Sequence, residues 1–146
     1  MKNIEVITDR LSQEQDQDVI IVNGEAYFYK ASGLTRRVYA NADKTSVIKI
    51  PLRDSYTYCN AEEVEIYNNA SESKKAQLAH TSILDNGYIQ QEFLWTLDDP
   101  ETEKQITREL TIEEIRFARS CREDVGFDKN GVLKCCDLAE YKKYYL

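Results

Sequence analysis

Long apolar runs are missing from this chain: stretches such as Val19-Ile20-Ile21-Val22 fall far short of the ~20 residues a membrane-spanning helix needs. A membrane-embedded protein is excluded on that ground. Glycine and proline are scarce, with five Gly and two Pro in 146 residues, and this rules out collagen-like and low-complexity chains. A 42% hydrophobic content rules out a wholly disordered one. One histidine, His80, and no Cys-x-x-Cys pair leave little from which to build a zinc site. Cys135 and Cys136 are adjacent, and neighbours in a strand point to opposite faces. Met1-Lys2-Asn3-Ile4-Glu5 leads into no apolar segment, so no export signal is read and the expected location is cytoplasmic. In that setting Cys59, Cys121, Cys135 and Cys136 are expected as free thiols. Positive charge is in deficit too, with 19 Lys plus Arg against 26 Asp plus Glu, a net charge of −7. That argues against direct nucleic-acid binding, which needs clustered cations, and points to a partner with a basic face.

What is present suffices for one domain: a globule of this length buries roughly 68–70% of its unfolded surface. Residues 1–17 are polar, ending in Ser12-Gln13-Glu14-Gln15-Asp16-Gln17, and read as a short amphipathic element and a linker. Residues 18–146 are taken as a single domain. Val19 to Val22, Asn23-Gly24 and Glu25 to Tyr29 predict a hairpin, since Asn-Gly supplies the positive φ angles of a type I′ turn. Arg36 to Tyr39 and Ser46 to Ile50 predict a second, around Asn41-Ala42-Asp43-Lys44. Asn60 to Leu78 reads as helix, broken near Asn69-Ala70-Ser71 with Ser71 capping the second piece. Strand, turn and strand follow over Thr81–Leu84, Asp85-Asn86-Gly87 and Tyr88–Leu94. Residues 95–110 read as a charged connector. Thr111-Ile112-Glu113-Glu114 has the capping-box pattern that opens a helix, here to about Cys121. A last hairpin spans Asp124–Asp137. The expected fold is α+β, a twisted antiparallel sheet of about five strands with packed helices, then a helix and a terminal hairpin.

Taken in order, these pieces resemble the protein-kinase-like superfamily, and most of all its small members from phages and mobile elements. The likeness is carried by Ala31-Ser32-Gly33-Leu34-Thr35-Arg36-Arg37-Val38-Tyr39, Val47-Ile48-Lys49-Ile50, Asn60-Ala61-Glu62-Glu63, the run from Gly87 to Leu94, and Asp124 to Asp137. In that family a glycine-rich loop covers nucleotide phosphates, and a strand lysine contacts them and pairs with a helix glutamate. A catalytic Asp, an Asn and a second Asp handle the hydroxyl and magnesium. The resemblance implies Gly33 in the loop, Lys49 as the lysine, Glu63 as its partner with Glu62 one register away, and Gln90 to Phe93, Gln91 among them, in the adenine-holding segment. Asp124 and Asp137 fall at the metal-binding positions. A nucleotide-binding member would use ATP and magnesium on these residues.

The departures decide what the resemblance implies for activity. Ala31 and Arg36 stand at two of the three loop glycines, where side chains keep backbone N–H groups from phosphate. Arg119 stands where the catalytic aspartate belongs, five residues before Asp124, and a guanidinium cannot accept a proton. The nine residues after Asp137 are too few for a substrate platform. The expectation is therefore a non-catalytic, truncated kinase-like chain with no required cofactor that binds and modulates another protein, a phage or mobile-element factor acting on a host component. The alternatives are a minimal ATP- and magnesium-dependent phosphotransferase or nucleotide switch, and an acidic mimic of nucleic acid. Lys49 and Glu63 could equally be a surface ion pair, and Asp124 and Asp137 ordinary strand-end residues. Among ten tyrosines, Tyr141, Tyr144 and Tyr145 are the candidate partner-binding residues, tyrosine being favoured at interfaces. Self-association into a homodimer is a further possibility for uncovered surface.

Overall fold

The structure, a computed structural model, describes residues 4–7 and 19–146. The chain is α+β and divides into two compact units, Met1–Val64 with Thr81–Phe93, and Glu65–His80 with Leu94–Leu146. The sequence reading took 18–146 as one domain. Among the described residues no helix is long and apolar enough to cross a membrane.

The first unit is an antiparallel sheet. Six strands from Val19 onward are β2 (Val19–Val22), β3 (Glu25–Ser32), β4 (Arg36–Asn41), β5 (Ser46–Pro51), β6 (Thr81–Ile83) and β7 (Ile89–Glu92), and β1 (Ile4–Ile7) extends them to seven. The order is β1-β2-β3-β4-β5-β7-β6, longer than the five strands expected. β1 pairs with β2 inside the segment read as an amphipathic element. The rest of that reading, residues 1–3 and 8–17 with its linker, lies outside the described residues. Asn23 and Gly24 both have positive φ, 51° and 81°, as the type I′ turn requires. At the next hairpin the Asn41 side chain ties the turn together, its Oδ1 accepting from the Thr45 and Ser46 N–H groups at 3.0 and 3.2 Å. Period-2 alternation sends Ile20, Val22, Tyr27, Tyr39 and Ile48 into one buried cluster. Helix α1 (Thr57–Asn69) starts in this unit between β5 and β6.

The second unit contains α2 (Glu72–Lys75), β8 (Trp95–Thr96), α3 (Thr102–Gln105), α4 (Ile112–Ser120), β9 (Val125–Phe127), β10 (Leu133–Cys135) and α5 (Leu138–Tyr145). α2 begins at Ser71, whose hydroxyl caps the Lys74 N–H. α4 begins at Thr111 with both halves of the capping box formed. The connector read over 95–110 holds β8 and α3, and the last residues form α5 rather than a tail. In the sheet β10-β9-β8, Gly126 of β9 pairs with Thr96 of β8. A Cβ there would lie 2.8 Å from the Leu94 Cβ and the Trp95 carbonyl oxygen, so only glycine fits without displacing backbone. Residues 77–79 run along the other edge, with Cys135 N–H donating to the Gln77 carbonyl and Ala79 N–H to that of Cys135. The core gathers Ile66, Leu78, Phe117, Val125, Phe127, Leu133, Leu138 and Tyr141 among others.

Candidate functional site

The most heavily polar buried place in the first unit is built by α1 against the sheet. α1 has few apolar residues at helical spacing, so apolar packing alone does not seat it. Asn60 and Glu63 are three apart and share a face, and both are almost wholly buried. Lys49 lies on β5 between buried Ile48 and half-buried Ile50 and points to the opposite side from them. Its Nζ donates to Glu63 Oε1 at 3.1 Å and Oε2 at 3.3 Å. Arg36, at the start of β4, donates from Nη1 to the same Glu63 Oε1 and to Asn60 Oδ1 at 3.3 Å. Asn60 Nδ2 donates to the Lys49 and Gly87 carbonyl oxygens at 3.0 and 3.1 Å. Gln91 Nε2 on β7 donates to Thr81 Oγ1 at 2.9 Å and Glu63 Oε2 at 3.4 Å.

One carboxylate, itself buried, thus meets two cations, Lys49 buried and Arg36 partly buried. Burial by itself pushes the Glu63 pKa up, because it disfavours the charged form. The charges of Lys49 and Arg36 and their hydrogen bonds outweigh it and leave the carboxyl below its ordinary value. The carboxylate oxygens are shared among Lys49, Arg36 and Gln91, and removing the carboxylate strands two cations in low dielectric.

Of the residues singled out from sequence, Lys49, Glu63 and Gln91 come together here. The partner of Lys49 is Glu63 and not Glu62. The surface-pair reading is corrected, since the side chains of Lys49 and Glu63 are 9% and 1% exposed. Gln91 turns its amide into this buried network, so in this arrangement that amide serves Glu63 and Thr81 rather than a ligand at the sheet's edge. Gly33 lies in the exposed turn between β3 and β4. Its N–H donates to the Arg36 carbonyl oxygen at 2.9 Å, and a Cβ on it would meet nothing closer than 3.9 Å. Turn closure uses the N–H group that a phosphate loop would present.

No family model, curated protein or solved structure matches this chain.

In the second unit the register Cys135↔Val125 places Asp124 across from Cys136, whose N–H donates to the Asp124 carbonyl oxygen at 3.0 Å. Asp124 and Asp137, the acids that the resemblance implied for magnesium, therefore stand at the same end of one hairpin. The Asp137 carboxylate caps α5, accepting from the Glu140 N–H at 3.4 Å. Among the described residues no group of three or more His, Cys, Asp or Glu side chains is placed to hold a metal ion. Asp137 is partly committed to its helix. Arg119 is an exposed residue of the last turn of α4. All four cysteines are free, and the buried Cys135 thiol is pushed far up by its hydrogen bond with Cys121 and by burial, which makes it inert.

The tyrosine reading needs correction. Tyr141 is fully buried, its hydroxyl donating to Gln77 Oε1 at 2.7 Å. Tyr145 is half-buried, stacked on Tyr141 with centroids 4.7 Å apart and hydrogen-bonded to Ser120 Oγ at 2.6 Å. Both spend their rings inside the second unit because α5 folds onto it as a helix. Of the three, only Tyr144 is well exposed. Sequence reasoning marked Arg36 as a lost glycine but missed its ion pair, and it passed over Asn60 and Thr81. The Asn60–Glu63 spacing on a helix poor in apolar residues was the available signal.

Proposed function

We propose that this chain is a non-catalytic protein of the kinase-like kind that works by binding and modulating another protein, a phage or mobile-element factor acting on a host component. The observation that carries this reading is Arg36 on Glu63. In a working kinase the strand lysine and helix glutamate form a pair that serves nucleotide phosphates. Here the glutamate takes a second cation from the protein itself, and that cation comes from a position where the loop pattern has glycine. Two further features support it. Gly33 N–H is used in its own turn, and Arg119, an exposed helix residue, has no lone pair with which to act as a base. The lysine–glutamate pair then serves as scaffold, holding α1 on the sheet.

A second reading, a minimal ATP- and magnesium-binding phosphotransferase or nucleotide switch, is favoured by the intact Lys49–Glu63 pair and by the hairpin that brings Asp124 and Asp137 to one end. Calorimetry with Mg-ATP separates the two. Micromolar binding that Lys49→Ala and Asp137→Ala each abolish would establish the second reading. Absence of heat, together with a specific protein captured from a bacterial lysate by the tagged chain, is the outcome the non-catalytic reading expects.

A further inference from the structure

Helix α4 is anchored on one side and open on the other. Phe117, Ala118 and the capping Cys121 share a helix face and are buried in the core of the second unit. The Thr111 capping box fixes the helix start. Arg108 adds a brace, donating to the Glu114 carboxylate at 2.7 and 2.8 Å and to the Gly131 carbonyl oxygen at 2.9 Å. At roughly 3.6 residues per turn, Ile112, Ile115, Arg116 and Arg119 fall in one stripe on the opposite side from that anchored face. All four are exposed, Ile112 by 65% and Ile115 by 38%. The stripe is ordered along the axis, apolar in its first half and cationic in its second. Arg108, Lys134 and Lys143 each pair with a carboxylate at 3.1 Å or less. Acids outnumber bases 26 to 19 in the chain, yet among the described residues Arg116 and Arg119 make no ion pair or side-chain hydrogen bond.

We propose that the outward stripe of α4 docks an acidic amphipathic helix of a partner protein, an inference that rests on the partner-binding reading above. The occupant follows from the chemistry of the stripe. Two exposed isoleucines one turn apart match apolar side chains at the same spacing on a facing helix. Two arginines without counterions match carboxylates, which would do for Arg116 and Arg119 what Glu114 does for Arg108. The cap and the Arg108 brace already hold α4 in place, so docking has only the occupant to order. One helix of nine residues is a short patch beside the roughly 1,200–2,000 Å² of a standard interface, so weak, fast exchange is expected. The net charge of −7 suggested a basic partner, but salt screens exposed charges beyond about 8–10 Å, and the local sign governs contact. A second copy of the chain fits less well, because each stripe would bring two cations and, on the helix, only the exposed Glu113 beside them. Nucleic acid also fits less well, since its affinity rises with the number of cations that meet phosphates.

The test is an amide NMR titration of the isotope-labelled full chain with a synthetic helical peptide that carries leucines and glutamates along one stripe. A shuffled peptide of the same composition, a peptide with lysine in place of glutamate, and a single-stranded DNA oligonucleotide are separate arms. The patterned acidic peptide should shift amides over Thr111 to Ser120 in a saturable way, and more weakly as salt rises. Arg116→Glu with Arg119→Glu should cost about tenfold or more in affinity, the loss of complementary charge at a contact. Ile112→Ser with Ile115→Ser should weaken the acidic peptide as well. Both pairs point outward, so circular-dichroism melts should stay close to wild type, and the amide spectrum of each variant reports directly whether it is folded. No shifts on α4, undiminished binding by the charge-reversed variant, equal binding of the shuffled peptide, or tighter binding of the lysine peptide or the oligonucleotide would each overturn the proposal. So would a dimer in sedimentation that the two isoleucine substitutions disperse, because a second copy would then own the stripe. Any of those results combined with silence toward Mg-ATP removes this surface and spares the non-catalytic reading. Phosphate transfer from ATP removes that reading, whatever the peptide does.

Discussion

Glu63→Gln is the sharpest perturbation of the buried network. The substitution keeps the shape and one acceptor oxygen of the side chain and deletes only its charge. Lys49 and Arg36, both within hydrogen-bonding reach of that group, then confront each other with their shared counterion gone. Breaking a buried ion pair by neutralising one partner costs about 3–5 kcal/mol, most of it the desolvation of the charge left behind. A protein of this size has about 5–15 kcal/mol of stability in total, so roughly a fifth or more is at stake. At roughly 2–4 °C per kcal/mol the melting temperature should fall by roughly 6–20 °C, read by circular dichroism and checked by the urea midpoint. Lys49→Met should cost less, because Arg36 still neutralises Glu63. The triple replacement Arg36→Met, Lys49→Met, Glu63→Leu should recover most of the loss, since apolar side chains of similar volume carry no desolvation cost. The carboxyl titrates lower in the folded protein than its ordinary value of 4.5. Its contribution is therefore complete above about pH 4.5 and is lost as pH falls through the folded value, a dependence that Glu63→Gln should abolish. A loss below about 1 kcal/mol for Glu63→Gln, the range of exposed pairs, would refute the reasoning that this cluster is dry and shared.

Other consequences can be measured in the second unit. Gly126→Ala should destabilise by about 1–3 kcal/mol, the cost of overpacking, because its methyl would enter the space of the Leu94 Cβ and the Trp95 carbonyl; chemical denaturation reads it. Thr111→Ala removes a capping box and should cost about 1 kcal/mol. Glu114 is held down to about 2 by its hydrogen bonds from Arg108 and the Thr111 N–H. Its contribution is present above the ordinary 4.5 and fades as pH drops toward 2, and Glu114→Gln should flatten that part of an acid-unfolding curve. Burial raises the Tyr141 phenol from 10 to about 12. An acid whose folded value is raised stabilises fully below pH 10 and loses that contribution between pH 10 and about 12, so Tyr141→Phe should make alkaline unfolding shallower there.

Local chemistry wrote much of this fold into the chain. Asn23-Gly24 set a turn, Ser71 and Thr111 set helix starts, and period-2 runs set strands β2 to β5 and β7, because each depends on neighbours within a few residues. Lys49 and Glu63 were nameable as partners only through the resemblance to kinase-like chains. Only the tertiary structure decided that they are buried, that Arg36 joins them from another strand, and that Asn60 and Gln91 complete the network, since side chains 27 and 28 positions apart meet only once the sheet and α1 pack. The same holds for the tyrosines. Spacing alone makes Tyr141, Tyr144 and Tyr145 equivalent, and it is the docking of α5 that spends two of them on the interior and leaves one for the surface.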